Sequence, residues 1–168
     1  MTTQKPIAYL AGPLGFSEAG RRFHNTVLIP LVEELGFEIR DPWTLTSQEI
    51  INSAQHLPYG EERRERLREV NRIIGRNNAD AIEESHIIVA VLDGVDVDSG
   101  TAAEIAHAST IGKFVIGYRG DFRVCAKNEG SIVNPQVEHY IFESDGEIVT
   151  DLNSLREALL RFRIQFES

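Results

Sequence analysis

Apolar residues recur along the chain in two rhythms, and the alternation between them predicts the elements. Pro6 to Ala11 (PIAYLA) is a short apolar run stopped by Gly12-Pro13, the pattern of a buried strand ending in a turn. Ser17 to Leu35 carries Phe23, Val27, Leu31 and Leu35 at helical spacing, with an interruption expected at Pro30 and a stop at Gly36. Phe37 to Arg40 predicts a second short strand, and Asp41-Pro42-Trp43 opens a long connection. Gln48 to Ala54 is a further helical turn, and His56 to Gly60 a loop. Glu61 to Glu84 is a charged helix whose stripe of Leu67, Val70, Ile74 and Ala81 also carries Asn78, while Asp80 falls off it. His86 to Leu92 (HIIVAVL) is near-continuously apolar, as a central parallel strand covered on both faces would be. Gly100 to Ile111 predicts a helix, Lys113 to Tyr118 a fourth strand, and Arg119 to Ser131 irregular chain. A fifth strand is expected within Gln136 to Phe142, and a last helix over Leu152 to Arg163 with Leu155, Leu159 and Phe162 on one face.

Strands alternating with helices imply an α/β class with a parallel sheet, here one domain over residues 1–168. Such sheets hold ligands at the carboxyl ends of their strands. That points to the loops after Ala11, Leu92 and Tyr118. The length of 168 residues and 42% apolar content suffice for a core without staples. A net charge of −9 argues against a nucleic-acid polymer or an anionic membrane surface as partner, but not against a small neutral ligand. The single cysteine, Cys125, excludes an intrachain disulfide, and His24, His56, His86, His107 and His139 are too scattered to form a metal site. No apolar run approaches the roughly 18 residues of a membrane span, and the N-terminus lacks a signal-peptide core, so the cytoplasm is the expected location. Neither a dinucleotide fingerprint nor a phosphate-binding P-loop follows the first strand, and no cofactor is expected.

The chemistry concentrates between Asp93 and Glu104, in DGVDVDSGTAAE. Asp93, Asp96, Asp98 and Glu104 crowd one strand-to-helix junction, where Ser99, Gly100, Ala102 and Ala103 keep bulk low. A carboxylate in the first turns of a helix is expected to be held ionised by free N–H groups and the positive end of the macrodipole. An ionised, fixed carboxylate can attack an anomeric carbon, and a second carboxyl can protonate or hydrogen-bond the leaving base. The same residues admit plainer readings. Thr101-x-x-Glu104 matches a capping box, the aspartates could form a solvated turn, and the acidic loop lacks the spacing of an EF-hand calcium site. Asn78 is either a satisfied core amide or a ligand to a sugar hydroxyl. Phe16 and Trp43 could stack on a planar base, with core packing the commoner fate for a residue such as Trp43.

Tyr9-Leu10-Ala11-Gly12-Pro13, then Asp98-Ser99-Gly100-Thr101-Ala102-Ala103-Glu104 and Gly112-Lys113, resemble the signature of the nucleoside 2-deoxyribosyltransferases. The resemblance runs from about Ile7 to Tyr118 and weakly to Asn134. It implies a flavodoxin-like parallel sheet of about five strands with helices on both faces. It also implies homo-oligomers with shared sites, and a two-step retaining transfer of deoxyribose between nucleobases. By position, Glu104 resembles the nucleophile, Asp98 the residue at the base, and Tyr9 the residue orienting the nucleophile. Gly12, Pro13, Phe16, Asn78, Asp93, Ser99 and Gly100 are the expected substrate contacts, with Asn134 loosely matching a residue lent by a neighbouring subunit. Asn78 stands where many members carry an aspartate, so it cannot act as an acid. A related branch that hydrolyses deoxynucleoside 5′-monophosphates carries Arg in its first loop. Here that loop, Ala11 to Phe16, is apolar, which favours free nucleosides, although Arg21 and Arg22 follow soon after.

Overall fold

Five parallel strands form one sheet in the order β2-β1-β3-β4-β5 in the computed structural model, which describes residues 5–124, 126 and 128–168. Met1 to Gln4 and the lone Cys125 lie outside the described residues. The strands are β1 (Ile7–Ala11), β2 (Glu38–Arg40), β3 (Ile87–Val91), β4 (Phe114–Tyr118) and β5 (Glu147–Val149). In β3 every residue is buried, because helices cover both faces of the sheet and leave it no polar side. Ala8, Leu10, Val89, Ile116 and Leu155 share one core, closed by α1 (Glu18–Phe23), α2 (Ile29–Glu34) and α7 (Leu152–Glu167). Tyr9, Ala11, Ile88, Ala90 and Ile105 share the other, beneath α4 (Glu61–Glu84), α5 (Ser99–Thr110) and α6 (Pro135–Glu143). The period-2 alternation of β1 thus turns Tyr9 toward the α4–α5 side while Ala8 and Leu10 face the other. A short helix, α3 (Gln48–Gln55), packs against α4.

Three expectations are corrected. The interruption at Pro30 takes the form of a π-helical segment, His24–Leu28, between α1 and α2, with the Ile29 N–H bonded to the His24 carbonyl. Pro30 has no N–H to continue the ladder, and the wider turn inserts the extra residue before it. In the first half of the segment the buried positions shift by one residue, from Phe23 and Val27 to His24 and Leu28, whereas Leu31 and Leu35 are buried as expected, together with Val32. The expected fifth strand within 136–142 is helix α6 instead. Asn134 caps it, Pro135 opens it, and Val137 and Ile141 bury one face at a spacing of four. The true β5, Glu147–Val149, is three residues long and follows the crossover that a parallel neighbour of β4 requires. α5 starts one residue earlier than expected, at Ser99. Among the described residues no helix is long and apolar enough to cross a membrane.

Candidate active site

The order of the sheet places its topological switch between β1 and β3, whose outgoing loops diverge at their carboxyl ends. A cavity of about 350 Å³ opens there, within the range of small-molecule sites. Gly12 lines it just beyond β1, in a conformation with φ +154°. Any side chain at that position would meet Val91 Cβ at 2.9 Å. Pro42, Trp43 and Thr46 come from the loop after β2, and Asp98, Gly100, Thr101 and Glu104 from the loop after β3 and the start of α5. α3 and α4 add Ile51, Ile74 and Asn78. The contributing loops are therefore those after β1, β2 and β3. The loop after Tyr118, expected at the same cleft, walls a separate hollow with Arg119 and Asp121.

Glu104 is the polar centre of the cavity. The hydroxyl of Tyr9, a fully buried residue in the middle of β1, donates to Glu104 Oε1 at 2.7 Å. Asn78 Nδ2 approaches the same oxygen at 3.5 Å. Asn78 Oδ1 is buried and has no hydrogen-bond partner among the described residues. Burial pushes the Glu104 carboxyl above the ordinary carboxylate range, with the Asp98 charge adding to it, while the bonds from Tyr9 and Asn78 pull it back. Burial and the Glu104 charge together hold the Tyr9 phenol firmly protonated. The helix terminus contributes less to Glu104 than its sequence position implies. α5 is capped by Asp98, whose Oδ2 accepts from the Thr101 N–H at 3.0 Å and from the Thr101 hydroxyl at 3.3 Å. Glu104 stands a further turn into the helix, where the macrodipole has faded. The alternative capping box between Thr101 and Glu104 does not form. Glu104 reaches to Tyr9 rather than to its own backbone.

The structure brings Tyr9, Gly12, Phe16, Asn78, Asp98, Gly100 and Glu104 together and leaves four other sequence-derived site residues aside. Pro13 precedes a 3-10 turn, Leu14–Phe16. Asp93 Oδ1 accepts from the Asp121 N–H at 2.8 Å and ties the loops after β3 and β4 together. Ser99 is exposed in the first turn of α5, and Asn134 caps α6. Trp43 is not a core residue: it is 39% exposed and meets Phe16, itself 73% exposed, edge-on at 4.8 Å across the cavity rim. Gly15 makes room for it, since a Cβ there would fall 2.2 Å from the indole ring. Pro42, Thr46, Ile51 and Ile74 were not foreseen as site residues. For Pro42, Thr46 and Ile51 the one signal is the length of the connection from Asp41 to Gly60, because long loops in compact domains tend to be functional, whereas Ile74 lies on the apolar stripe of α4 and reads as core. Among the described residues no group of three or more His, Cys, Asp or Glu side chains could hold a metal ion.

A family model described as Nucleoside 2-deoxyribosyltransferase matches residues 8–136. No curated protein matches the chain in sequence. Among solved structures, a conserved protein from Enterococcus faecalis V583 superposes with a TM-score of 0.72 at 21% identity, over 95% of this chain and 99% of its own. The 2-deoxyribosyltransferase from Bacillus psychrosaccharolyticus gives 0.59 at 22% identity, over 89% and 90%. A CMP N-glycosidase from Clostridium botulinum gives 0.50 at 19%, over 95% and 99%. At these identities the likeness is one of fold.

Proposed function

Because the chain belongs to the nucleoside 2-deoxyribosyltransferase family, we propose that it cleaves the N-glycosidic bond of a 2′-deoxynucleoside and passes the deoxyribosyl group to another nucleobase. The supporting observation is the Tyr9–Glu104 pair at 2.7 Å, a carboxylate held by one oxygen in a cavity with apolar walls. In this reading Glu104 Oε2 attacks C1′ as the bond to the base breaks, and the bonding electrons leave with the base. An ester between Glu104 and C1′ results. A second base displaces the carboxylate from C1′, so two inversions give net retention. Asp98 faces the departing base and assists its protonation, with the oxygen not used for capping. Asn78 Oδ1, which lacks a hydrogen-bond partner among the described residues, takes a hydroxyl of the sugar. Phe16 and Trp43, in contact with each other, form one aromatic wall for the planar base. Gly12 and Gly100 shape the space around the sugar, and Pro13 leads the chain from Gly12 into the turn that carries Phe16. Asp93 and Ser99 support the loop behind it, and Asn134 is offered to the site of a neighbouring subunit in a cytoplasmic homo-oligomer.

No Lys or Arg lines the cavity among the described residues, which favours a neutral nucleoside over a 5′-monophosphate. Hydrolysis is the second reading, because the deoxyribosyl ester of an open cavity is within reach of water. Arg21, which donates to the Gly15 carbonyl at 3.3 Å, is the cation beside the first loop that a monophosphate would recruit. Incubating deoxyadenosine with and without cytosine separates these outcomes. Deoxycytidine formed only when cytosine is present supports transfer. Adenine released regardless of acceptor supports hydrolysis, and faster release from deoxyadenosine 5′-monophosphate supports the monophosphate branch. Glu104→Ala should lower exchange by about a thousandfold or more. Exchange at the parent rate would remove Glu104 from the reaction.

A further inference from the structure

A buried pair lies behind the aromatic rim of the cavity. Asp41 follows β2 and builds the turn that carries Trp43. Its Oδ1 accepts from the Trp43 N–H at 3.1 Å, and its carbonyl accepts from the Thr44 N–H at 2.9 Å and the Thr44 hydroxyl at 3.0 Å. Pro42 occupies the position of the turn that its fixed φ suits. His24 reaches the same carboxylate oxygen from the π-helical segment, with Nε2 at 3.2 Å from Asp41 Oδ1. His24 is 4% exposed and Asp41 9%. Neither imidazole nitrogen has an aligned hydrogen-bond partner among the described residues. A polar ring buried on those terms costs stability. Among the described residues, it approaches the group that fixes the Trp43 backbone.

We propose that His24 is a positioning residue for substrate recognition: by holding Asp41 it holds the Pro42–Trp43 turn, and with it the aromatic wall that takes the nucleobase. The recognition part rests on the nucleoside reading of the cavity, whereas the mechanical part does not. A stacking wall binds ground state and transition state alike, so its loss should appear in KM rather than in kcat.

Trp43 is the only tryptophan, so its fluorescence reports the wall in the intact protein without any substrate. His24→Leu should make Trp43 emission more accessible to acrylamide, and His24→Gln, which returns an N–H at similar reach, should restore the parent quenching. In base exchange, His24→Leu should raise KM for the deoxynucleoside about fivefold or more with kcat within about twofold. In a Trp43→Leu background the same change should leave KM unmoved. Unchanged quenching in His24→Leu overturns the proposal, as does an equal KM effect in both backgrounds. If His24→Leu fails to fold, as judged by far-UV circular dichroism, His24→Phe, which fills the space of the ring without a polar atom and leaves Asp41 in place, is read by the same quenching criterion. Should the parent protein turn over no nucleoside, the functional reading falls, and quenching alone still decides whether His24 holds Trp43.

Discussion

At the residue scale, the site is governed by a contest over the charge on Glu104. Burial works against the carboxylate, and the hydrogen bonds from Tyr9 and Asn78 work for it. The Tyr9 hydroxyl is the stronger of the two donors by distance, 2.7 Å against 3.5 Å. Tyr9→Phe therefore removes an orienting bond and the main influence that lowers the Glu104 pKa. A hydrogen bond to a charged group contributes about 1.5–3 kcal/mol, so kcat for base exchange should fall about 10- to 100-fold. The acid limb of the pH–rate profile should also move to higher pH, because Glu104 must lose its proton before it can attack. A variant with the parent limb and the parent kcat would show that Tyr9 does not act on Glu104. Much of this pair was legible beforehand. Tyr9 falls in the apolar run of β1, just before the turn at Gly12-Pro13, and Glu104 lies in a small-residue helix start next to the central strand. What could not be read was the sign of the Glu104 shift. It depends on how deep the side chain sits, and its distance from the helix terminus could be judged only once the cap was known to be Asp98.

At the element scale, Asp98 does two jobs in one side chain. Its Oδ2 caps α5, the helix that carries Glu104, while the residue itself lines the cavity. Asp98→Ala should thus cost about 1 kcal/mol of stability through the lost cap, lowering Tm by about 2–4 °C, in addition to any loss of turnover. Thermal denaturation of Asp98→Ala beside Asp98→Asn tests this. Asn can still cap through its side-chain oxygen, so it should keep the parent Tm while losing whatever the ionised group supplies to catalysis. An equal drop in Tm for both would mean that the charge matters more than the cap. Periodicity read the long elements well: α4 begins and ends at Glu61 and Glu84 as its pattern predicts. It failed where elements are short or interrupted. Val137, Tyr140 and Ile141 within a nine-residue helix look as apolar and β-prone as a strand, and only Asn134-Pro135 before them marks a helix start. The register shift along Ser17 to Leu35 escaped because one inserted π turn offsets His24 and Leu28 by one residue against Leu31 and Leu35 while leaving the count of apolar positions unchanged.

For the whole molecule, the cavity sits where the sheet order forces the chain to diverge, and it is there that the fold accepts a destabilising group. Glu104 has its pKa raised in the folded state by burial. Below its unfolded-state pKa the residue is protonated in both states and imposes no cost. As pH rises, the unfolded chain ionises first, so stability is lost progressively until the folded-state pKa has been passed. At neutral pH the native protein therefore carries a penalty that a neutral isostere would not. Glu104→Gln keeps an acceptor for the Tyr9 hydroxyl and removes the charge beside Asp98. It should raise Tm relative to the parent at pH 7, and the difference should shrink toward zero as both are measured at lower pH. Base exchange should be lost at every pH. Comparing the two proteins at matched pH cancels the other carboxylates, which titrate in both. A variant less stable than the parent at pH 7 would mean that the hydrogen bonds from Tyr9 and Asn78 outweigh burial. Glu104 would then be a structural anchor, held by its partners, rather than a charge the fold bears for the sake of its chemistry.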